Sequence, residues 1–348
     1  MRLHTLPTMW HTLPLSPAEL SLAKVLRCGQ TFRWHHINGV WLFALADRVV
    51  LLKQDANTLY YSQVMRQADP DAEGTLAFIT DYFNLDVKLE PLYRHWETQH
   101  AKYPSKSALP FTRFPGIRIL RQDPWETTVL FICLSNNNVK RILKMCDALC
   151  VNFGHKVAEY DGHSFYSFPR PQELAASDVE ARLRKLGFGY RAKYIHQTAK
   201  LMTLTHSVER LEALRGDPYE DAHEYLLELS GVGPKVADCI CLMALDKHHV
   251  VPVDTHVYQI ALRDYRYKGK RDVKTLSKPM YQGIRQHFVD IFGDYAGWAQ
   301  SVLFASDLSD LNNGINVVAA VKQENIEIKK EASPIVKSMA KEASEIQA

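Results

Sequence analysis

No cysteine follows Cys241 in this 348-residue chain, and none of the six, Cys28, Cys133, Cys146, Cys150, Cys239 and Cys241, forms a CxxC pair or stands by histidines at zinc-finger spacing. That excludes a cysteine-built zinc finger and predicts reduced thiols in an intracellular compartment. No apolar run approaches the length that crosses a bilayer, so no membrane-spanning helix is expected. No acid precedes Glu19, which faintly resembles an organelle transit peptide, but three prolines and one arginine in "MRLHTLPTMWHTLPLSP" break the basic amphipathic helix such a peptide needs. No internal repeat of fixed period is evident. What remains is ordinary: hydrophobic residues make up 46%, charged residues 23%, and the net charge is +3. Such a chain has enough length for two or three packed layers without disulfide or metal staples. Its charge permits a nucleic-acid partner without arguing for one, because the field that matters is local.

Between about Leu20 and Tyr61 the pattern favours strands. "TFRW" and "VWLFALADRVVLL" are rich in branched and aromatic residues, and Asn38-Gly39 is the strongest short hairpin signal. After Phe114-Pro115-Gly116 helical periodicity takes over, with no further alternating strand of comparable length. "PWETTVLFICLS" stops at Asn136, Asn137 and Asn138, and "VKRILKMCDALCVNFG" resumes, so two helices meet at an Asn-rich cap. From about Asn312 the composition, charged and poor in aromatics, predicts a disordered tail.

The stretch "LSGVGPKVADCI", Leu229 to Ile240, predicts a helix-hairpin-helix. One helix ends at Ser-Gly-Val-Gly, and Pro234 opens a second whose apolar face is Val236, Cys239, Ile240 and Met243. Glycine lets the backbone come close to a phosphate, and the free N–H groups of a helix start favour an anion. Lys235 on that first turn is either a nucleophile or a phosphate contact. A free lysine has a pKa of about 10.4, so nucleophilic work near neutrality calls for a value lowered by roughly 2 to 3 units. Farther on, the apolar run Val250 to Val253 delivers Asp254 to the N-cap of another helix. Asp254 is therefore a plain cap or a carboxylate aimed at a cation formed during reaction. His256, on the same first turn, is a capping residue or a phosphate donor. "RDYRYKGKRDVK", Arg263 to Lys274, is a basic segment interleaved with tyrosines.

Together these motifs resemble the helix-hairpin-helix superfamily of DNA base-excision glycosylases, and in detail the eukaryotic, fungal-like 8-oxoguanine DNA glycosylase/AP lyases. The resemblance rests on "CGQTFRW" (28–34), "GIRILRQDPWE" (116–126), "FICLSNNNVKRI" (131–142), "LGFGYRAKYI" (186–195), "GVGPKVADC" (231–239), "VPVDTHV" (251–257) and "YAGWAQSVLF" (295–304). It implies an α+β fold: a twisted antiparallel sheet domain (a TBP-like half, residues 1–113) packed on a mainly helical helix-hairpin-helix glycosylase domain (114–311), with a tail at 312–348. Relatives resembling endonuclease III hold an iron-sulfur cluster on four cysteines after the Asp helix, which this chain lacks; alkyl-base glycosylases lack the hairpin lysine. The expectation is an enzyme without iron-sulfur cluster or catalytic metal.

By the same resemblance, Lys235 is the nucleophile that forms a Schiff base at C1′, and Asp254 stabilises the oxocarbenium-like sugar. His256 and the backbone of Gly231, Val232 and Gly233 contact phosphate. Gly29 offers a carbonyl that accepts the N7 hydrogen of 8-oxoguanine and repels guanine's N7 acceptor. Cys239 and Phe304 flank the flipped base, and Gln300 reads its edge. Asn136, Arg141 and Arg191 take over the widowed cytosine, while Tyr190 is the wedge. Ser230, Leu134 and Thr255 depart from the common pattern without touching a chemical group. The resemblance implies excision of 8-oxoguanine opposite cytosine, and of formamidopyrimidine purines, followed by β-elimination. A non-catalytic damaged-DNA binder, or a glycosylase for another oxidised purine, are the alternatives. Double-stranded DNA carrying an oxidised purine is the expected partner of a monomer with no membrane, downstream repair enzymes are candidate partners, and DNA chemistry implies the nucleus with a mitochondrial fraction.

Overall fold

The computed structural model describes residues 9–65, 72–103, 109–135, 137–270, 273 and 275–307. The expectations for the first eight residues, for Asn136 and for the tail from 312 lie outside the described residues. The amino-terminal part runs β1 (His11–Pro14), α1 (Leu22–Val25), β2 (His35–Ile37), β3 (Val40–Ala44), β4 (Arg48–Gln54), β5 (Thr58–Met65), α2 (Ala72–Tyr82), α3 (Leu89–His100) and α4 (Pro110–Arg113). Next come α5 (Pro124–Leu134), α6 (Val139–Phe153), β6 (Lys156–Tyr160), β7 (His163–Tyr166), α7 (Pro171–Ala175), α8 (Val179–Lys185), α9 (Arg191–Leu204), α10 (Val208–Ala213) and α11 (Tyr219–Leu227). The chain continues through α12 (Pro234–Ala244), α13 (Thr255–Asp264), α14 (Lys278–Phe292) and α15 (Ala296–Asp307).

Five antiparallel strands form one sheet in the order β1-β5-β4-β3-β2. Asn38 and Gly39, at φ 48° and 81°, make the two-residue turn between β2 and β3 that their sequence predicts. Side chains alternate across β4. Val50 and Leu52 pack with α1 and α2 through Leu22, Val25, Ile79 and Phe83, whereas Val49 and Leu51 pack on the opposite face. Both faces being covered, β4 reads as an unbroken apolar run rather than an alternating one.

What covers the second face is a hairpin that the helical texture hid. Strands β6 and β7 pair around Asp161 and Gly162, at φ 49° and 76°, and send Val157, Ala158 and Phe165 against the sheet. The sequence expectation, no further alternating strand of comparable length after Gly116, passed over this short pair of five and four residues. Its cue, an Asp-Gly dipeptide between short apolar segments, is the same kind of signal as Asn38-Gly39.

Two helical clusters share α12. Cys239, Leu242 and Met243 face a cluster with α3, α4 and α13 to α15, while Ala237, Ile240, Cys241 and Ala244 face one built from α5, α6 and the stretch from α7 to α11. The sheet is tied to the helices by Arg33. Its guanidinium bonds Glu126 on α5, donates to the carbonyls of Ala44 (2.8 Å) and Tyr166 (3.2 Å), and lies 4.8 Å from the Phe43 ring. Burial pushes the Glu126 carboxyl up to about 7 even though Arg33 pulls it down. A buried pair of this kind is costly to break one-sidedly, because the survivor keeps its desolvation penalty. Arg33→Met is expected to destabilise by ~3–5 kcal/mol in denaturant unfolding. Arg33→Met combined with Glu126→Leu should recover most of that loss, and a single-variant loss below ~1 kcal/mol would contradict the role given to the pair.

Candidate catalytic and DNA-binding site

The turn between α11 and α12 needs glycine at Gly231 for two reasons. Its φ is 84°, and a Cβ there would sit 2.8 Å from Cβ of Tyr194. Gly233 caps α12 in extended conformation and Pro234 occupies its first turn, as the sequence predicts. The three hairpin residues are not equivalent as anion donors. The N–H of Val232 is already donated to Leu229 O (3.1 Å), whereas those of Gly231 and Gly233 have no protein acceptor among the described residues. A phosphate would therefore meet the two glycines, and the expectation for Val232 is corrected on that point.

Lys235 stands on the first turn of α12, half exposed, with Nζ 2.8 Å from Oδ2 of Asp254. The other carboxylate oxygen of Asp254, Oδ1, accepts the N–H of Val257 (2.9 Å), so the side chain caps α13 and faces the lysine at once. The cap reading of Asp254 is thus realised, and its second oxygen faces the Lys235 ammonium. Burial raises the Asp254 pKa, but the Lys235 ammonium, the Val257 N–H and His256 outweigh it and hold the carboxyl below its usual range. Burial likewise pulls the Lys235 ammonium down, and negative charge at Cys239 and Asp254 more than reverses this, so its pKa lies above the ordinary lysine value. Of those two, Asp254 is the effective partner near neutrality, because burial pushes the Cys239 thiol up to about 12 and leaves it uncharged. The lowered value that nucleophilic work near neutrality calls for is thus not the one the free protein sets: the pair rests as ammonium and carboxylate.

Beside this pair the predicted base-pocket residues come together. Cys239 lies one turn along α12, buried, in the same packed cluster as Cys28, and Phe304 on α15 borders that cluster. Phe304 is partly exposed and meets the His256 ring edge-on, with centroids 5.2 Å apart. Gln300, one turn earlier on α15 and 5% exposed, has no side-chain hydrogen bond among the described residues. A buried amide left without protein partners is suited to a ligand edge.

Gly29 is held close by a short relay. Gln30 spans to the backbone of Arg118 (2.9 Å) and Leu120 (3.1 Å), Gln122 Nε2 donates to Gln30 O (3.0 Å), and the Gln122 N–H donates to Met243 O on α12 (2.9 Å). Gly29 has φ 90°, with open space where a Cβ would point, and its carbonyl accepts no bond from the described protein.

His256 stands on the first turn of α13, against Asp307 of α15. Its Nε2 is shielded, 3.2 Å from Oδ2 of Asp307 but poorly aligned for a hydrogen bond, which leaves Nδ1 as the nitrogen a phosphate could reach. Asp307, which also binds Arg263 at 3.0 and 3.1 Å, was not singled out in the sequence. Its only cue is its place one turn after Phe304 on the same helix.

The opposite-base set also assembles, although Asn136 itself lies outside the described residues. Tyr190 Oη donates to Ser135 O (3.1 Å), and the Arg191 fork donates to the same carbonyl and lies 4.6 Å from the Tyr190 ring. Arg141 reaches Gly187 O at 2.8 Å. Tyr190 is 47% exposed, as a wedge must be, whereas Arg191 is 3% exposed, so its fork faces the protein and not the solvent. Among the described residues no group of His, Cys, Asp and Glu is arranged to hold a metal ion.

Comparison with known proteins fits this arrangement. Residues 12–128 match the family described as 8-oxoguanine DNA glycosylase, N-terminal domain, and residues 129–285 match the HhH-GPD superfamily base excision DNA repair proteins. The N-glycosylase/DNA lyase of Saccharomyces cerevisiae is 37% identical over 94% of this chain and 94% of that one. N-glycosylase/DNA lyase OGG1 of Arabidopsis thaliana is 35% identical over 86% of this chain and 80% of its own. A solved structure of the Clostridium acetobutylicum 8-oxoguanine glycosylase/lyase with double-stranded DNA containing cytosine opposite 8-oxoguanine superposes at a TM-score of 0.70, with 26% identity, covering 86% of this chain and 97% of that one. MBOgg1 in complex with a low-affinity DNA ligand superposes at 0.72, with 28% identity, over 88% and 98%. With both family regions matched in sequence order and a relative this similar along nearly its whole length, the chain belongs to the 8-oxoguanine DNA glycosylase family of the HhH-GPD superfamily, the N-glycosylase/DNA lyases.

Proposed function

We propose that this protein flips 8-oxoguanine out of a duplex in which it faces cytosine, excises it, and then cleaves the abasic strand through an imine on Lys235. The observation that carries the reading is the Lys235–Asp254 pair, 2.8 Å apart at the first turn of α12, with Cys239 one turn along the same helix and Phe304 packed on the same cluster. A binding module has no need to hold a carboxylate against its hairpin lysine. The Clostridium relative was solved with DNA carrying cytosine opposite 8-oxoguanine, which supports the same lesion here.

The resting charges suggest the order of events. As the glycosidic bond breaks, its electron pair leaves with the base, and the proton carried by Lys235 passes to that base. The lysine lone pair so freed attacks C1′, while the Asp254 carboxylate stabilises the sugar cation between the two steps. A proton of the resulting secondary ammonium passes to O4′ as the C1′–O4′ bond breaks, giving the protonated imine; this acidifies C2′, whose proton goes to water while the C3′–O electron pair leaves with the 3′ phosphate. None of these steps draws on a metal. Gly29 O would accept the N7 hydrogen of the lesion, and guanine, with a lone pair there, would be repelled. Gly231 and Gly233 N–H would hold a backbone phosphate at the helix start. The reading further takes the protein as a monomer that works in the nucleus, with a mitochondrial share, and hands its cut strand to downstream repair enzymes.

Borohydride trapping on a duplex with one 8-oxoguanine opposite cytosine tests the nucleophile. A covalent complex is expected for the native protein and none for Lys235→Gln, which should still bind; an adduct with Lys235→Gln would assign the chemistry elsewhere. Asp254→Asn should slow excision by roughly 10²–10³, the scale of losing one charge-stabilising group, beyond the ~1 kcal/mol of stability that a cap contributes. The pH dependence separates a proton-carrying lysine from a free amine. Asp254 is ionised above its depressed pKa and Lys235 protonated below its raised one, so single-turnover excision should be flat between about pH 5 and 9. A rate climbing tenfold per unit through neutrality would instead mean that the free amine limits the reaction.

A further inference from the structure

The most deeply buried charge in the helical half is not part of the chemistry above. Asp238 lies on α12, three residues after Lys235, and is 0% exposed. Its Oδ1 accepts from Tyr219 Oη at 2.8 Å, and its Oδ2 accepts from Tyr281 Oη. Arg285 Nη1 and His223 Nε2 stand farther off, at 3.8 and 3.7 Å, and Arg285 also donates to Tyr219 Oη at 2.6 Å. A carboxylate withdrawn from water at this depth is expensive, and leucine or alanine would fill a helix core at less cost. Its presence calls for something that an apolar side chain could not do.

The answer lies one bond farther on. Tyr281 Oη, having donated to Asp238, accepts the N–H of Val253 at 3.3 Å. Val253 is the residue immediately before Asp254, which contacts Lys235. The contacts form a closed loop from Lys235 down one turn of α12 to Asp238, across to Tyr281 on α14, up to Val253, and through Asp254 back to the lysine. No other side-chain hydrogen bond to the backbone of the 250–253 segment is present among the described residues, so this loop is the polar tie that fixes where the segment sits relative to α12.

We infer that Asp238 and Tyr281 are positioning residues for the reaction: they set the height of Asp254 against Lys235 and so hold the carboxylate on the amine before substrate arrives. The inference rests on Lys235 and Asp254 being the reacting pair. An ion pair bridging two separate elements has strength that depends steeply on separation, and a shift of about 1 Å in a catalytic group costs on the order of 10²-fold in rate. Tyr219 holds the same carboxylate but leads nowhere near Val253, which makes it the natural control.

The test compares Tyr281→Phe with Tyr219→Phe in the full-length protein, by single-turnover borohydride trapping on the 8-oxoguanine·cytosine duplex, with DNA affinity and thermal midpoint measured in parallel. Each variant removes one hydroxyl from Asp238. Trapping is expected to slow at least tenfold for Tyr281→Phe and to stay within twofold of native for Tyr219→Phe, with affinity for an abasic-site duplex unchanged in both. The acid limb gives a readout that stability alone would not move. Asp254 is surrounded by Lys235, His256 and the Val257 N–H, and loosening it from Lys235 raises its pKa, so the acid limb of Tyr281→Phe should move upward in pH while that of Tyr219→Phe does not. Asp238→Asn, which keeps the volume and weakens the Tyr281 anchor, should change in the same direction and serves if Tyr281→Phe does not fold. Equal slowing by both phenylalanine variants, or native rates and acid limbs for Tyr281→Phe and Asp238→Asn, would overturn the inference. Lys235→Gln runs beside them: an adduct in that variant would mean that the reading of the site has failed, whereas none there with native behaviour in Tyr281→Phe defeats the positioning role alone.

Discussion

Helix α12 is enclosed by both helical clusters from Ala237 to Leu245, and only its first turn reaches solvent. A helix start leaves unpaired N–H groups and a partial positive charge, which burial would make costly and which an anion relieves. The fold therefore has one end of a largely buried helix that needs a negative partner. Asp254 supplies a permanent one to Lys235, and the N–H groups of Gly231 and Gly233, without a protein acceptor among the described residues, are the ones the proposal gives to a DNA phosphate. Everything else in the helical half, from the α11 turn to the buried run that delivers Asp254, serves to keep that end open while the rest of the helix is sealed.

The same constraint explains why the sheet has to be attached so firmly. Gly29 belongs to the sheet domain, yet its carbonyl matters only if it is fixed relative to Cys239 and Phe304. Rigid connection comes from two kinds of contact. Arg33 bonds the sheet to α5 and to the β6–β7 hairpin, and the Gln30–Gln122 relay carries the Gly29 segment to the carbonyl of Met243 at the far end of α12. Hydrogen bonds are directional, so a relay of amides fixes distance more sharply than apolar packing, which tolerates sliding. The one-atom discrimination between N7 and N7–H that the proposal assigns to the Gly29 carbonyl would depend on that sharpness.

Much of this was legible in the sequence because the signals were local. Asn38-Gly39 specifies its turn through backbone conformation alone, Pro234 and the glycines mark the hairpin, and Asp254 follows an apolar run as an N-cap should. What was not legible depended on partners far along the chain. The β6–β7 hairpin is short, and its apolar residues make sense only against a sheet made of residues 40–64. Helices α3 and α4 pack with α13 to α15, a partnership that no periodicity within either segment announces. The direction of the Lys235 shift could not be read either, since burial and Asp254 act on it oppositely and the winner is decided by a 2.8 Å contact. Resemblance located the residues; geometry assigned their charge states.

That geometry also bears on selectivity. In the free protein the groups expected to meet DNA are already engaged: Arg191 and Tyr190 with Ser135 O, Arg141 with Gly187 O, and His256 against Asp307. Binding exchanges these contacts for DNA contacts, and an exchange of hydrogen bonds yields only about 0.5–1.5 kcal/mol each when the new partner fits. When it does not, a fork drawn away from Ser135 is left buried and unpaired, at a cost of about 1–3 kcal/mol or more for a charged group. On the proposed reading of Arg191 as an opposite-base contact, discrimination comes less from strong contacts to cytosine than from the penalty of leaving the Ser135 carbonyl for a base that offers the fork no acceptor.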